Sequence, residues 1–243
     1  MRLVNGDAIQ FLKTLGDKSI SLIVTDPPYK MSQRGKSEKS TTGGLLNKEL
    51  TYRGKIFEHN DIEIKDYASE FYRILKDDCH CYVMTNNYNL IDMLNEFTNA
   101  GFKFIRSLIW DKQSKICGTF YMNQFEYILM FRKFDPRIIN NCSTSDILSV
   151  PIRKLKDANG NNLHDTEKPV DLMKILIENS TQEGETVLDP FMGIGATGVA
   201  AVSTHRDFIG FEIDKKYFDI AQRRIDEAVE SAELLSLDFE NLL

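Results

Sequence analysis

The 243-residue chain has little cysteine, and Cys79, Cys81, Cys117 and Cys142 form no C-x-x-C pair and have no histidine at zinc-finger spacing. This argues against a disulfide scaffold and against a zinc or redox centre; reduced structural thiols and no bound metal are expected. Only 6 prolines and 14 glycines, with 42% hydrophobic and 27% charged residues, exclude a collagen-like or largely disordered protein. No apolar run approaches the roughly 20 residues of a membrane span. Stretches such as Ser19 to Val24 have a strand's length, so no membrane partner is expected. The opening Met1-Arg2-Leu3-Val4-Asn5-Gly6-Asp7 lacks the charged, apolar, then small-residue order of a secretory leader, and a cytoplasmic location is the expectation.

An excess of basic residues is also absent, for the formal charge is −6. The acidity sits at the end. Asp226, Glu227, Glu230, Glu233, Asp238 and Glu240 follow the last arginine, so residues 1–225 are neutral and residues 231–243 read as an acidic C-terminal tail. Within the neutral part, Lys30, Arg34, Lys36, Lys39, Lys48, Arg53 and Lys55 crowd one stretch against Glu38 and Glu49. Such a basic segment meets phosphates, or is simply a solvated surface loop.

Short β-branched and aromatic runs alternate with amphipathic stretches, the pattern of an α/β domain with a mostly parallel sheet. Seven strands are expected: Arg2 to Asn5, Ile20 to Thr25, Cys79 to Thr85, Phe104 to Trp110, Phe125 to Phe131, Thr186 to Leu188 and Phe208 to Phe211. Helices are expected over Asp66 to Leu75, Leu90 to Phe97, Leu172 to Ile177, Val199 to Ser203 and Lys215 to Leu237, with apolar residues at helical spacing. Two stretches break the alternation, residues 31–60 and residues 134–164, and loops this long within one domain usually carry function.

Two strand ends carry the chemistry. The apolar run Ile20 to Thr25 leads into Asp26-Pro27-Pro28-Tyr29, and ligands of open α/β sheets bind beyond the carboxyl ends of strands. The two prolines remove two backbone donors and leave rigid carbonyls; Asp26 adds a carboxylate acceptor, and Tyr29 an aromatic face. A planar amine fits such a set, as does a strand-ending turn with a satisfied aspartate. A second strand end runs into Asp189-Pro190-Phe191-Met192-Gly193-Ile194-Gly195-Ala196-Thr197-Gly198. Its glycine spacing, with Glu212 after the next strand to accept ribose hydroxyls, matches a dinucleotide fingerprint, so a nicotinamide-dependent dehydrogenase is a local rival. Against that rival, an acid at Asp189 repels a pyrophosphate and attracts a cationic amino-acid end. S-adenosylmethionine combines an adenosine with an ammonium and has no phosphate.

On these segments the chain resembles the β-class amino-methyltransferases of DNA, in which D-P-P-Y precedes F-x-G-x-G, and the resemblance runs over most of residues 1–230. It implies a Rossmann-like, circularly permuted methyltransferase fold, with helices on both faces of the sheet and one catalytic domain over residues 1–243. Further matching segments are Asn5-Gly6-Asp7, His164-Asp165-Thr166-Glu167-Lys168-Pro169 with Asp165 in place of a proline, Ile109-Trp110-Asp111-Lys112, and Glu126 to Lys133. Ile194 and Ala196 stand where a serine or threonine is common. The implied cofactor is S-adenosylmethionine, bound by Asp7, Ala8, Asp26, Thr166, Lys168, Asp189, Phe191, Gly193, Gly195 and Glu212. The implied catalytic set is Asp26, Pro27, Pro28 and Tyr29, acting on an amine of a flipped-out base. Taken alone, a Gly-Asp after a strand, such as Gly6-Asp7, is more often an ordinary turn, and Thr166 reads also as a helix cap.

Relatives that modify the cytosine 4-amino group tend to carry serine at the position of Asp26, so the resemblance favours the adenine 6-amino group, with cytosine N4 as the alternative. Methylation at cytosine C5 is excluded: it needs a cysteine nucleophile, usually in Pro-Cys, and no proline here precedes a cysteine. A catalytically silent DNA-binding relative would have lost Asp26, Tyr29 or the glycine pair. The partner is DNA, with residues 31–60 expected as a mobile contact loop and 134–164 as a short target-recognition insertion. Relatives of this type often form dimers, and many belong to restriction-modification systems.

Overall fold

A computed structural model describes residues 1–28, 62–116, 121–135, 137–156, 159–160, 162–163 and 166–240, with the backbone alone for 116 and 235–240. Tyr29, the whole of 31–60, His164 and Asp165 lie outside the described residues.

The strands are β1 (Arg2–Asn5), β2 (Ile20–Thr25), β3 (Leu75–Thr85), β4 (Lys103–Ile116), β5 (Asn123–Arg132), β6 (Ile147–Ser149), β7 (Thr186–Asp189) and β8 (Asp207–Glu212). They form one 8-stranded sheet in the order β1-β8-β7-β2-β3-β5-β4-β6. Every pairing is parallel except those of β5 with β3 and β4. The expectation of seven strands is corrected to eight. The extra strand, β6, is a three-residue edge strand parallel to β4, inside the stretch read from sequence as an irregular loop. Three residues flanked by Asn, Ser and Thr carry too little periodicity to announce a strand.

Every residue of β2 is buried, because the sheet is covered on both sides at its centre. On one face lie α1 (Ala8–Leu12), α2 (Ile64–Ile74) and α3 (Leu90–Asn99), joined to Ile23, Cys81, Leu129 and Phe131 of the sheet. Helix α2 shows why. Tyr67, Phe71 and Ile74 recur at helical spacing and are fully buried, each contributing roughly 1.5–3 kcal/mol of hydrophobic stabilisation. The opposite face carries α4 (Val170–Ser180), α5 (Ala196–Ser203) and α6 (Lys215–Glu240), packed on Leu22, Val24, Tyr82 and Val187. Gly198 lets α5 sit close, since a Cβ there would overlap Ile225 and Phe208.

This layering fixes where a ligand can enter. β2 and β7 are adjacent and parallel, yet the next described helix after β2 covers one face and the helix following β7 covers the other. Beyond the carboxyl ends of such a pair the connections diverge and leave a crevice.

Among the described residues no helix is long and apolar enough to cross a membrane, and no group of His, Cys, Asp and Glu is arranged to hold a metal. Cys79, Cys81 and Cys142 are free thiols, the first two buried.

Candidate active site

The crevice opens where Thr25 and Asp26 leave β2 beside Asp189 at the end of β7. Asp189 is buried and its carboxylate is fully engaged: Oδ1 accepts the Thr25 hydroxyl at 2.8 Å and the Phe191 N–H at 3.1 Å, and Oδ2 accepts the Thr197 hydroxyl at 2.6 Å. Burial pushes its pKa up to about 6 against these bonds. Sequence reasoning assigns this acid to a cationic ligand end. The geometry instead turns it inward, as a brace joining both strand tips to the first turn of α5.

Asp26 is arranged differently. Its Oδ2 accepts a hydrogen bond from the Lys168 ammonium, while Oδ1 is buried with no hydrogen-bond partner among the described residues. Burial raises the Asp26 pKa above the usual carboxylate range, and the neighbouring Lys168 charge only partly offsets this. Lys168, just ahead of α4, also donates to the Thr166 carbonyl at 3.3 Å and lies 3.5 Å from Oε2 of Glu126 on β5. Glu126 in turn accepts from Lys112 on β4 at 2.5 Å. Burial pushes Glu126 up, but the ammonium groups of Lys168 and Lys112 together outweigh it and hold the carboxyl below its usual range. The Trp110 ring lies 5.3 Å from the Lys112 nitrogen and 6.0 Å from that of Lys168, and its own N–H donates to the Val150 carbonyl.

Across the crevice, the turn after β7 bends through Gly193 at φ +52° and Gly195 at φ +82°, backbone that favours glycine. A Cβ at Gly195 would also press on Ala221 of α6 at 3.0 Å. Helix α5 begins just after Gly195 with no side-chain cap. Glu212, at the end of β8, accepts the Gly193 N–H at 2.9 Å and the Asp214 N–H at 2.8 Å; burial nonetheless pushes its pKa up to about 7. Half-buried Phe191 meets Tyr67 edge-on at 5.6 Å.

The structure thus gathers Asp26, Pro27, Pro28, Thr166, Lys168, Asp189, Phe191, Gly193, Gly195 and Glu212 along one end of the sheet. Asp7 and Ala8 stand beside them: Asn5 donates to the Glu212 and Ile213 carbonyls, so the β1 end is tied to the β8 end. The Asp7 carboxylate accepts the Gln10 N–H, which makes it the N-cap of α1, a role that the plainer sequence reading, an ordinary turn, did not give it.

Several contributors carry no role in the sequence reading. Arg224 on α6 donates to the Ile194 carbonyl at 2.6 Å and pairs with Glu167 at 3.0 Å, and Glu167 also accepts the Leu155 N–H at 2.9 Å. The glycine turn, the Lys168 element and the segment after β6 are thereby clamped together. On an amphipathic helix an arginine reads as a solvated cation, and only the fold reveals this contact. Glu126 and Lys112 lie within matched segments without an assigned role; two buried charges on neighbouring strands were the available signal.

Comparison with known proteins agrees with this arrangement. The N6/N4 DNA methylase family matches residues 20–223. The chain is similar to the type II methyltransferase M.HinfI of Haemophilus influenzae, 28% identical over 260 residues, covering 98% of this chain and 72% of that protein. In fold it resembles the M1.HpyAVI–SAM complex, with TM-score 0.65 and 21% identity over 92% of this chain and 98% of that one. It also resembles the cytosine-N4-specific PvuII DNA methyltransferase, with TM-score 0.67 and 18% identity over 95% and 91% of the two chains. A family match spanning most of the chain, over a sheet whose two central strand tips meet at the crevice, places this protein in the N6-adenine/N4-cytosine DNA methyltransferase family.

Proposed function

We propose that the protein transfers a methyl group from S-adenosylmethionine to the exocyclic 6-amino group of an adenine flipped out of DNA. The observation that carries this reading is the divided Asp26 carboxylate, one oxygen tied to Lys168 and the other buried without a described partner. An unsatisfied buried acceptor costs about 1–3 kcal/mol, and a ligand that brings a donor recovers it. An exocyclic amine brings two N–H groups, for which Oδ1 of Asp26 and the adjoining Pro27 carbonyl are the acceptors. The preference for adenine over cytosine rests on the carboxylate at Asp26, where similar cytosine-modifying enzymes tend to carry serine.

The crevice suits the cofactor. In this reading Phe191, Asp7 and Ala8 take its adenine, and Glu212 the ribose hydroxyls. Gly193 and Gly195 give room for its chain, with Thr166 and Lys168 at the amino-acid end. When bound, S-adenosylmethionine supplies an electrophilic methyl group on a positively charged sulfur. The amine of adenine is a poor nucleophile because its lone pair is shared with the ring. Asp26 and Pro27, by accepting its hydrogens, draw the nitrogen toward tetrahedral geometry and turn the lone pair out of the ring plane. These acceptors are preorganised, so catalysis comes from positioning and electrostatics and needs no covalent enzyme intermediate. After transfer the nitrogen is cationic, and its surplus proton passes to Asp26. A base inside a duplex cannot reach such a site, so the target leaves the stack.

Nucleoside analysis by mass spectrometry of DNA incubated with the protein and labelled S-adenosylmethionine tests the reading. Label in N6-methyladenine is expected; label in N4-methylcytosine would transfer the same chemistry to the cytosine amine, and label in neither would mark a silent relative.

A further inference from the structure

We infer that Glu126 and Lys112 are positioning residues that set how tightly Lys168 holds the Asp26 carboxylate, and through it the pH at which the enzyme turns over.

The inference rests on the role just proposed for Asp26 and on four charges that alternate in sign. Asp26 meets Lys168, Lys168 meets Glu126 at 3.5 Å, and Glu126 meets Lys112 at 2.5 Å. Each side chain is largely shielded: Lys168 and Lys112 are each 10% exposed, Glu126 20% and Asp26 21%. Trp110, pinned by its bond to Val150, lies 5.3 Å from the Lys112 ammonium and 6.0 Å from that of Lys168. In such surroundings an unpaired charge is costly, and each member of the chain depends on the next. Lys168 is shared between two carboxylates. Were it committed to Asp26 alone, the carboxylate would become a weaker acceptor for the amine; with no lysine, burial would favour the protonated form. Glu126 draws the ammonium partly away, and Lys112 limits that pull. Among the described residues the Asp26 charge also reaches Tyr67 of α2 and Asp189 of β7, and the test leaves both unchanged.

The two residues therefore act with opposite sign. Glu126→Gln removes a negative charge and commits Lys168 to Asp26, so the Asp26 pKa falls. Lys112→Met removes a positive charge and strengthens the hold of Glu126 on Lys168, so the Asp26 pKa rises.

The experiment measures kcat against pH at saturating S-adenosylmethionine and DNA for the wild type, both variants and Asp26→Ala, with thermal unfolding and cofactor titration on each. The acid limb of kcat is expected to move down by roughly one pH unit in Glu126→Gln and up in Lys112→Met, with both KM values unchanged. Limbs that stay in place, that move in the same direction, or effects confined to KM overturn the inference. If Glu126→Gln fails to fold, Lys112→Met decides alone: an upward shift supports the inference, and any other result removes it. An active Asp26→Ala protein would instead defeat the underlying reading of the site, which separates the two failures.

Discussion

The Thr25 hydroxyl at the tip of β2 lies 2.8 Å from Oδ1 of Asp189 at the tip of β7, a buried bond between residues 164 positions apart. It joins the segment that carries Asp26 to the glycine turn, so the separation of the proposed methyl acceptor and donor sites is set by a hydroxyl and a carboxylate. Thr25→Val keeps the shape and removes the donor. A loss of about 1–3 kcal/mol in urea unfolding is expected, with a larger fall in kcat than in cofactor affinity. An unchanged kcat would show that the brace does not register the two tips.

Asp26→Ala removes the acceptor proposed for the amine. Turnover is expected to drop about 10²- to 10⁴-fold, while calorimetry still detects S-adenosylmethionine binding. Asp26→Asn, which keeps the shape and loses the charge, is expected to fall in the same direction. Near-normal turnover in both would refute the assignment.

Arg224 is the clamp between the Ile194 carbonyl and Glu167. Arg224→Met leaves Glu167, itself only 3% exposed, without its charged partner; breaking a buried pair in this way costs about 3–5 kcal/mol. Chemical denaturation is expected to show that loss, and the KM for the cofactor is expected to rise as the glycine turn loosens. A surface arginine of no consequence would move neither.

Glu212 supplies a pH dependence whose sign is fixed by its burial. With its folded pKa raised from 4.5 to about 7, the carboxyl takes up a proton in the folded state more readily than in the unfolded one. Its contribution to stability is fully present below pH 4.5 and is lost as pH rises toward 7. With Glu212 in its proposed ribose-binding role, cofactor binding runs the other way, because the hydroxyls donate to the ionised form. Calorimetry is expected to show affinity for S-adenosylmethionine weakening as pH falls below about 7, and Glu212→Gln should flatten that profile.

What the sequence makes legible follows the physics of each signal. The strands β2 and β7 are short apolar runs ending at proline or glycine punctuation, and the residues just past them are the ones the fold brings together. The short helix α1 is harder to see, since five residues span too few turns to show a period. β3 runs on from α2 without a loop, and Lys76, Asp77 and Asp78 disguise its start; register shifts between Ile20 and Leu22 where this part pairs with β2. The Glu126–Lys112 contact depends on cross-strand register: Trp110 faces Glu126 directly, and Lys112, two residues on, is its diagonal neighbour. Spacing along the chain cannot report which residues lie opposite. Asp189 shows the converse, a residue correctly placed at the site whose oxygens turn toward Thr25, Thr197 and the Phe191 amide.

Trp110 is the single tryptophan of the chain, and its ring lies 5.3 Å and 6.0 Å from two ammonium groups, the farther of them bonded to Asp26. Indole emission responds to nearby charge, so the indole fluorescence of this protein arises from one ring 6.0 Å from the Lys168 ammonium that holds Asp26. Ligand arrival at Asp26 becomes an optical signal in the unlabelled enzyme, fast enough to follow by stopped flow and free of background from any other indole.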